Sequence, residues 1–112
     1  MIPKRLSRVG ETIHEELSVM LLRDLKDPRI GFVTITGVVM SPDLRQAKVY
    51  FSRIGTDAER GESLEGLRAA AGYMRRELGH RLALKFAPEL RFFYDESLEK
   101  GSRIDRLLKE IE

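Results

Sequence analysis

The chain has no cysteine and no tryptophan. Without cysteine there is no disulfide, no thiolate nucleophile and no thiolate metal site, a composition that suits the reducing cytoplasm. Only two histidines, His14 and His80, are present, and they belong to no spaced set of metal ligands. No apolar run approaches the ~20 residues that a membrane span needs. The opening "MIPKRLSRVGETIHEEL" lacks the apolar centre of a signal peptide. The phosphate-binding pattern GxxxxGKS/T and the nucleophile elbow GxSxG are both missing. Glu15-Glu16 and Asp95-Glu96 are adjacent pairs, and neighbours in sequence share neither a helix face nor a strand face. The expectation is a protein that is not an enzyme, with no metal, no cofactor, no small-molecule substrate and no membrane.

What is present is an ordinary globular composition. The chain has 112 residues, 42% of them apolar and 34% charged, so residues 1–112 are expected to form one domain. A net charge of +2 argues little, but its distribution argues more. From Arg45 to Arg53 there are three basic residues and no acid, and from Arg68 to Lys85 five basic residues stand against Glu77 alone. Between them, Asp57 to Glu65 carries four acids and only Arg60. Folding can bring the two basic stretches together, which is the footprint a polyanion requires. The alternative is a pair of solvated faces.

Hydrophobic periodicity places the elements. Leu6, Val9, Ile13, Leu17, Met20, Leu21 and Leu25 recur at spacings of three and four, the stripe of an amphipathic helix whose first turns Gly10 weakens. The helix is expected to stop before "KDPRIG", because Pro28 turns Asp27 away from helical angles and Gly31 marks a turn. "FVTITGVVM" (32–40) and "LRQAKVYFSR" (44–53) read as strands joined by a turn at "SPD". The second strand alternates, with Ala47, Val49 and Phe51 on one face and Lys48 and Tyr50 on the other. Residues 54–62 read as a polar turn. A helix follows from near Glu62, then a second helix after Gly72 with Met74, Leu78 and Leu82 inward. "LRFFYDE" (90–96) is a third strand. Ile104, Leu107, Leu108 and Ile111 predict a last short helix capped by Ser97 or Ser102.

The order α-β-β-α-kink-α-β-α points to a two-layer α+β domain, a three-stranded sheet with helices packed on one face. It is also the order of a type II KH domain, in which a glycine-rich loop between two helices admits nucleic-acid backbone. No GxxG exists here; Ala70-Ala71-Gly72 makes a kink instead.

Five stretches in order make the resemblance specific: "RVGETIHEEL", "KDPRIGFVTITGVVMSPDL", "AKVYFS", "AAAGYMRRELGHRL" and "PELRFFYDESLEKGSRID". Together they span roughly residues 5 to 111, and the chain resembles the bacterial ribosome-binding factor A family, KH-like proteins with an Ala-x-Gly kink. The resemblance implies a non-enzymatic, cytoplasmic factor, expected as a monomer, that binds the 30S ribosomal subunit and its 16S rRNA, including the precursor. It implies action late in subunit maturation, support of rRNA processing, and greatest importance in the cold. Many members carry a charged tail beyond the last helix, and no role of such a tail is carried over. Two other readings stay open: a general single-stranded nucleic-acid binder with the same fold, and a protein-interaction module with incidental RNA binding.

The candidate RNA-binding residues centre on the kink. Ala70 and Gly72 open the joint, and Arg75 and Arg76 fall in the first turns of the next helix, where charge and dipole favour a phosphate. Arg68, Arg81 and Lys85 extend the track. Gly72 has an internal alternative, a close helix crossing or a helix end. Arg45 and Lys48 sit on the hairpin. Arg5 and Arg8 begin the first helix, where cations oppose the dipole and so hint at an external anion. Among Phe92, Phe93 and Tyr94, alternation buries either the outer two or the middle one, and the exposed set is a candidate stacking surface.

Overall fold

In the computed structural model, residues 4–97 are described, in the order α1 (Lys4–Arg23), β1 (Val33–Met40), β2 (Gln46–Arg53), α2 (Asp57–Arg81) and β3 (Glu89–Tyr94). The predicted last helix, 104–111, and its cap at Ser102 lie outside the described residues. The three strands form one mixed sheet in the order β1-β2-β3, with β1 and β2 antiparallel and β2 and β3 parallel. A parallel pair needs a long crossover, and α2 supplies it.

Both helices cover the same face. Ile13, Leu17 and Met20 of α1 and Leu67, Met74 and Leu78 of α2 are completely buried with Ala47, Val49 and Phe51 in one core that also includes the buried Phe92. Phe51, on the central strand, meets the Tyr94 ring edge-on at 5.8 Å. Burying a side chain of this size is worth about 1.5–3 kcal/mol, and Phe51 is fully buried in the core.

Gly10 does more than weaken α1. A Cβ there would stand 2.8 Å from the Val38 carbonyl oxygen, so the missing side chain lets α1 lie directly against β1. Past Arg23 the chain turns at Asp27, whose carboxylate accepts from both the Arg29 amide and the Arg29 guanidinium. Those bonds hold its pKa below the ordinary value, the side-chain bond contributing most. The turn then docks on α2, where the buried Ser63 hydroxyl donates to the Ile30 carbonyl at 2.7 Å.

β1 carries a bulge at Thr36, between the Ile35–Phe51 and Gly37–Tyr50 pairs. Ile35 and Met40 are five residues apart, so strict alternation would send them to opposite faces. The extra residue resets the parity, and both are buried. The Thr36 hydroxyl donates to Asp95, just beyond β3.

The one clear departure from the sequence reading is α2. It begins at Asp57, five residues before Glu62, because Thr56 caps it in a reciprocal capping box with Glu59. It then continues through Ala70, Ala71 and Gly72 as a single helix of 25 residues, with no second helix starting at the glycine. The amides after Gly72 are therefore interior amides, committed to the helix's own hydrogen bonds rather than free for a ligand. The dipole argument for Arg75 and Arg76 falls with it, since they lie nearer the C-terminal end of α2.

Candidate nucleic-acid interface

The outward face of α2 is the first half of the site. Ser63, Gly66, Leu67, Met74 and Leu78 are buried, so helical spacing turns Arg68, Ala69, Gly72, Arg75 and Arg76 outward, and all five are exposed. Arg68 and Arg76 make no side-chain hydrogen bond or ion pair among the described residues. A Cβ on Gly72 would meet no atom within 4 Å. Gly72 therefore neither ends a helix nor admits a helix crossing. The contrast within α2 is direct, for a Cβ on Gly66 would stand 2.7 Å from the Ile30 side chain. A glycine costs a helix interior about 1 kcal/mol relative to alanine, and nothing inside the described molecule requires this one. The bare patch it leaves, set among three arginines, is open to an external backbone.

The second half is a groove beside the C-terminal end of α2. The helix closes at Leu82, Ala83 takes a left-handed φ of +48°, and the Leu84 amide donates back to the Gly79 carbonyl. This is a Schellman closure with alanine where glycine is usual. It presents Lys85 and Phe86 at the surface, Phe86 being 66% exposed with the Lys85 ammonium 5.7 Å from its ring. Arg75 is braced there through its Nε, which donates to the Ala87 carbonyl at 3.1 Å. Arg45, Arg75, Phe86 and Ala87 line one groove. Arg5, Arg45, Lys85 and Phe86, over an apolar floor that includes Val9 and Leu84, line the next.

Four basic residues from four parts of the chain thus gather around one exposed aromatic ring. Of the acids at the rim, Asp43 accepts from the Ser41 hydroxyl and the Arg45 amide, in that order the causes of its lowered pKa. Its charge is consumed in holding the β1–β2 turn. The arrangement offers phosphates several cations and a base one stacking face.

The remaining candidates fall elsewhere. Arg8 is exposed on α1, one turn beyond Arg5. Ala70 is half-buried against the core and so belongs to the inward side of α2. Lys48 is exposed on the sheet face away from the helices. Arg81 binds Asp24 at 2.7 Å, Glu77 at 3.3 Å and Glu16 at 3.4 Å, which raises its pKa, the Asp24 bond contributing most. Those carboxylates make it a clamp between α1 and α2 instead of part of the track. Phe92 is buried, Tyr94 half-buried and Phe93 exposed, which settles the alternation left open by the sequence.

Two features escaped the sequence reading. The Thr56-Asp57-Ala58-Glu59 capping box was legible as a threonine followed three residues later by glutamate. Phe86 carried a weaker signal, an aromatic outside any apolar stripe between Lys85 and Pro88. Among the described residues no group of histidine, aspartate or glutamate gathers to hold a metal ion, and no helix is long and apolar enough to cross a membrane.

A mixed three-stranded sheet with two helices on one face, and an exposed glycine in the helix preceding a parallel strand, defines a KH-like domain. The ribosome-binding factor A profile matches residues 5–108, and the chain belongs to that family. The factor of Geobacter sulfurreducens is 54% identical over 108 residues, covering 96% of this chain and 92% of its own. That of Brevibacillus brevis is 52% identical over 107 residues, covering 96% and 88%. A Thermotoga maritima protein solved by solution NMR is 38% identical, with a TM-score of 0.68 over 83% of this chain and 90% of that one. Thermus thermophilus ribosome binding factor A, as fitted into a cryo-EM map of a 30S complex, shares the fold. Its TM-score is 0.67 at 21% identity, over 81% and 96% of the two chains.

Proposed function

We propose that the chain is a non-enzymatic assembly factor of the small ribosomal subunit, binding 16S rRNA in late 30S particles and supporting processing of the precursor. On this reading it works as a monomer in the cytoplasm and matters most in the cold, when misfolded RNA escapes its traps slowly. Its leverage is differential affinity: it binds one rRNA arrangement better than another and shifts the population accordingly. The observation that carries the reading is the exposed Gly72, with no neighbour for a Cβ, among Arg68, Arg75 and Arg76. Family membership and a relative fitted into a 30S complex support it.

Co-sedimentation with purified small subunits, large subunits and intact ribosomes, at physiological and at high salt, tests it. The expected result is selective pelleting with free small subunits that weakens as salt rises. Equal pelleting with every particle would reduce the protein to a general nucleic-acid binder. No pelleting with any particle would favour a protein-interaction module.

A further inference from the structure

The sheet face away from the helices has an organisation that the groove does not use. Register places three residues in a row across it: Gly37 on β1, Tyr50 on β2 and Phe93 on β3. The two rings lie 5.7 Å apart between centroids at an interplanar angle of 33°. Phe93 is 41% exposed, and a Cβ on Gly37 would meet nothing within 4 Å, so the flank of Tyr50 is bare. The next row is Val39, Lys48 and Arg91, with Lys48 directly beside Arg91.

Like charges side by side on neighbouring strands repel, and Lys48 makes no ion pair among the described residues. Among the described residues Glu89 and Asp95 border the face, and both are engaged. Glu89 lies 3.6 Å from Arg91, while Asp95 accepts from the Thr36 hydroxyl and from the amide and hydroxyl of Ser97. The result is an aromatic row and a basic row two residues apart, about 6.6 Å at the usual rise of a strand. That separation is the reach from a nucleobase to its own phosphate.

We propose that the Gly37–Tyr50–Phe93 row and the Lys48–Arg91 row form a second RNA-contact surface that stacks unpaired bases of single-stranded RNA. This surface rests on the RNA-binding reading above but is separate from the α2 face and its groove. Base stacking on exposed rings tolerates any sequence, and the cation pair holds the strand by its phosphates.

The test is an NMR titration of the full chain with a short single-stranded oligoadenylate and, separately, with an RNA duplex. Ring resonances of Tyr50 and Phe93 are expected to move with the single strand and to stay in place with the duplex, whose bases are already stacked. Phe93→Ala should lower oligoadenylate affinity about tenfold. Phe93→Leu, which keeps the apolar surface and secures the fold, should do the same. Rings that stay still while the Arg75 and Arg76 amides move would overturn this surface and leave the RNA-binding reading intact. If neither set moves, this surface fails, while the ribosomal reading stands or falls by the co-sedimentation. Equal movement with the duplex would also overturn the proposal, and so would rings found packed against residues 98–112 or a second copy of the chain.

Discussion

Arg75 and Arg81 stand six residues apart in the last third of α2, and the molecule treats them in opposite ways. Arg81 is surrounded by Asp24, Glu16 and Glu77, two of them from the α1 region, and is spent on joining the helices. Arg75 is braced by a single backbone carbonyl and turned to a groove with Arg45 and an exposed phenylalanine. The glycines repeat the contrast. Gly10 is small because the Val38 carbonyl lies where its side chain would be, whereas Gly72 is small with nothing in the way. Arg81 has its charge met and Gly10 its space filled from within the fold, whereas Arg75 and Gly72 leave charge and space open at the surface.

The largest effect expected from breaking this contrast is on binding. Arg75→Glu with Arg76→Glu should weaken small-subunit binding by about 100-fold at physiological salt and flatten its salt dependence by roughly two phosphate contacts. Circular dichroism and Tm should stay unchanged. Arg81→Glu should do the reverse, lowering Tm by several degrees because four carboxylates then crowd one place, with little direct loss of binding. A folded Arg75/Arg76 double variant that binds normally would remove the α2 face from the site.

Next comes a pair of alanine substitutions with opposite signs. Gly10→Ala pushes a methyl group into a backbone carbonyl and should cost about 1–3 kcal/mol, more than the ~1 kcal/mol of helix propensity it regains. Gly72→Ala meets no atom and should stabilise the fold by about 1 kcal/mol. The bulkier Gly72→Leu should leave the fold standing and weaken subunit binding, since it fills the bare patch. Thermal melts and co-sedimentation of the three variants check the two halves of the contrast independently.

The smallest effect concerns acid. Asp95 and Glu59 both have pKa values below their ordinary ones. For Asp95 the Ser97 hydroxyl is the largest cause and the Thr36 hydroxyl the next; for Glu59 it is the Thr56 amide and then its hydroxyl. A depressed carboxylate stabilises the folded state fully above its unfolded pKa and loses that contribution as pH falls through the folded one. Tm should therefore be flat above about pH 5 and decline below about pH 4. Thr36→Val, which removes one donor to Asp95, should make that decline shallower.

Much of this could be read along the chain. The α1 stripe, the alternation of β2, the stop at Asp27-Pro28 and the turn at Ser41-Pro42-Asp43 all rest on neighbours within a few residues. The start of α2 was equally local, written in Thr56 and Glu59. The continuity of α2 through Gly72, where a second helix was expected to begin, was not, because glycine lowers helix propensity without forbidding a helix that packing holds on both sides. The bulge at Thr36 lay beyond alternation alone, since only the register with β2 shows which parity is reset.

The sequence by itself determined the order of helices and strands and, along α1 and β2, which residues share a face, because 3.6- and 2-residue periods are properties of the local backbone. Only the tertiary structure decided which faces are covered. Whether an arginine is a clamp or a contact depends on carboxylates 57 and 65 residues away. Whether a glycine is filled or bare depends on a strand packed across it. Those distances close only when the chain folds, and so the site exists only in the folded molecule.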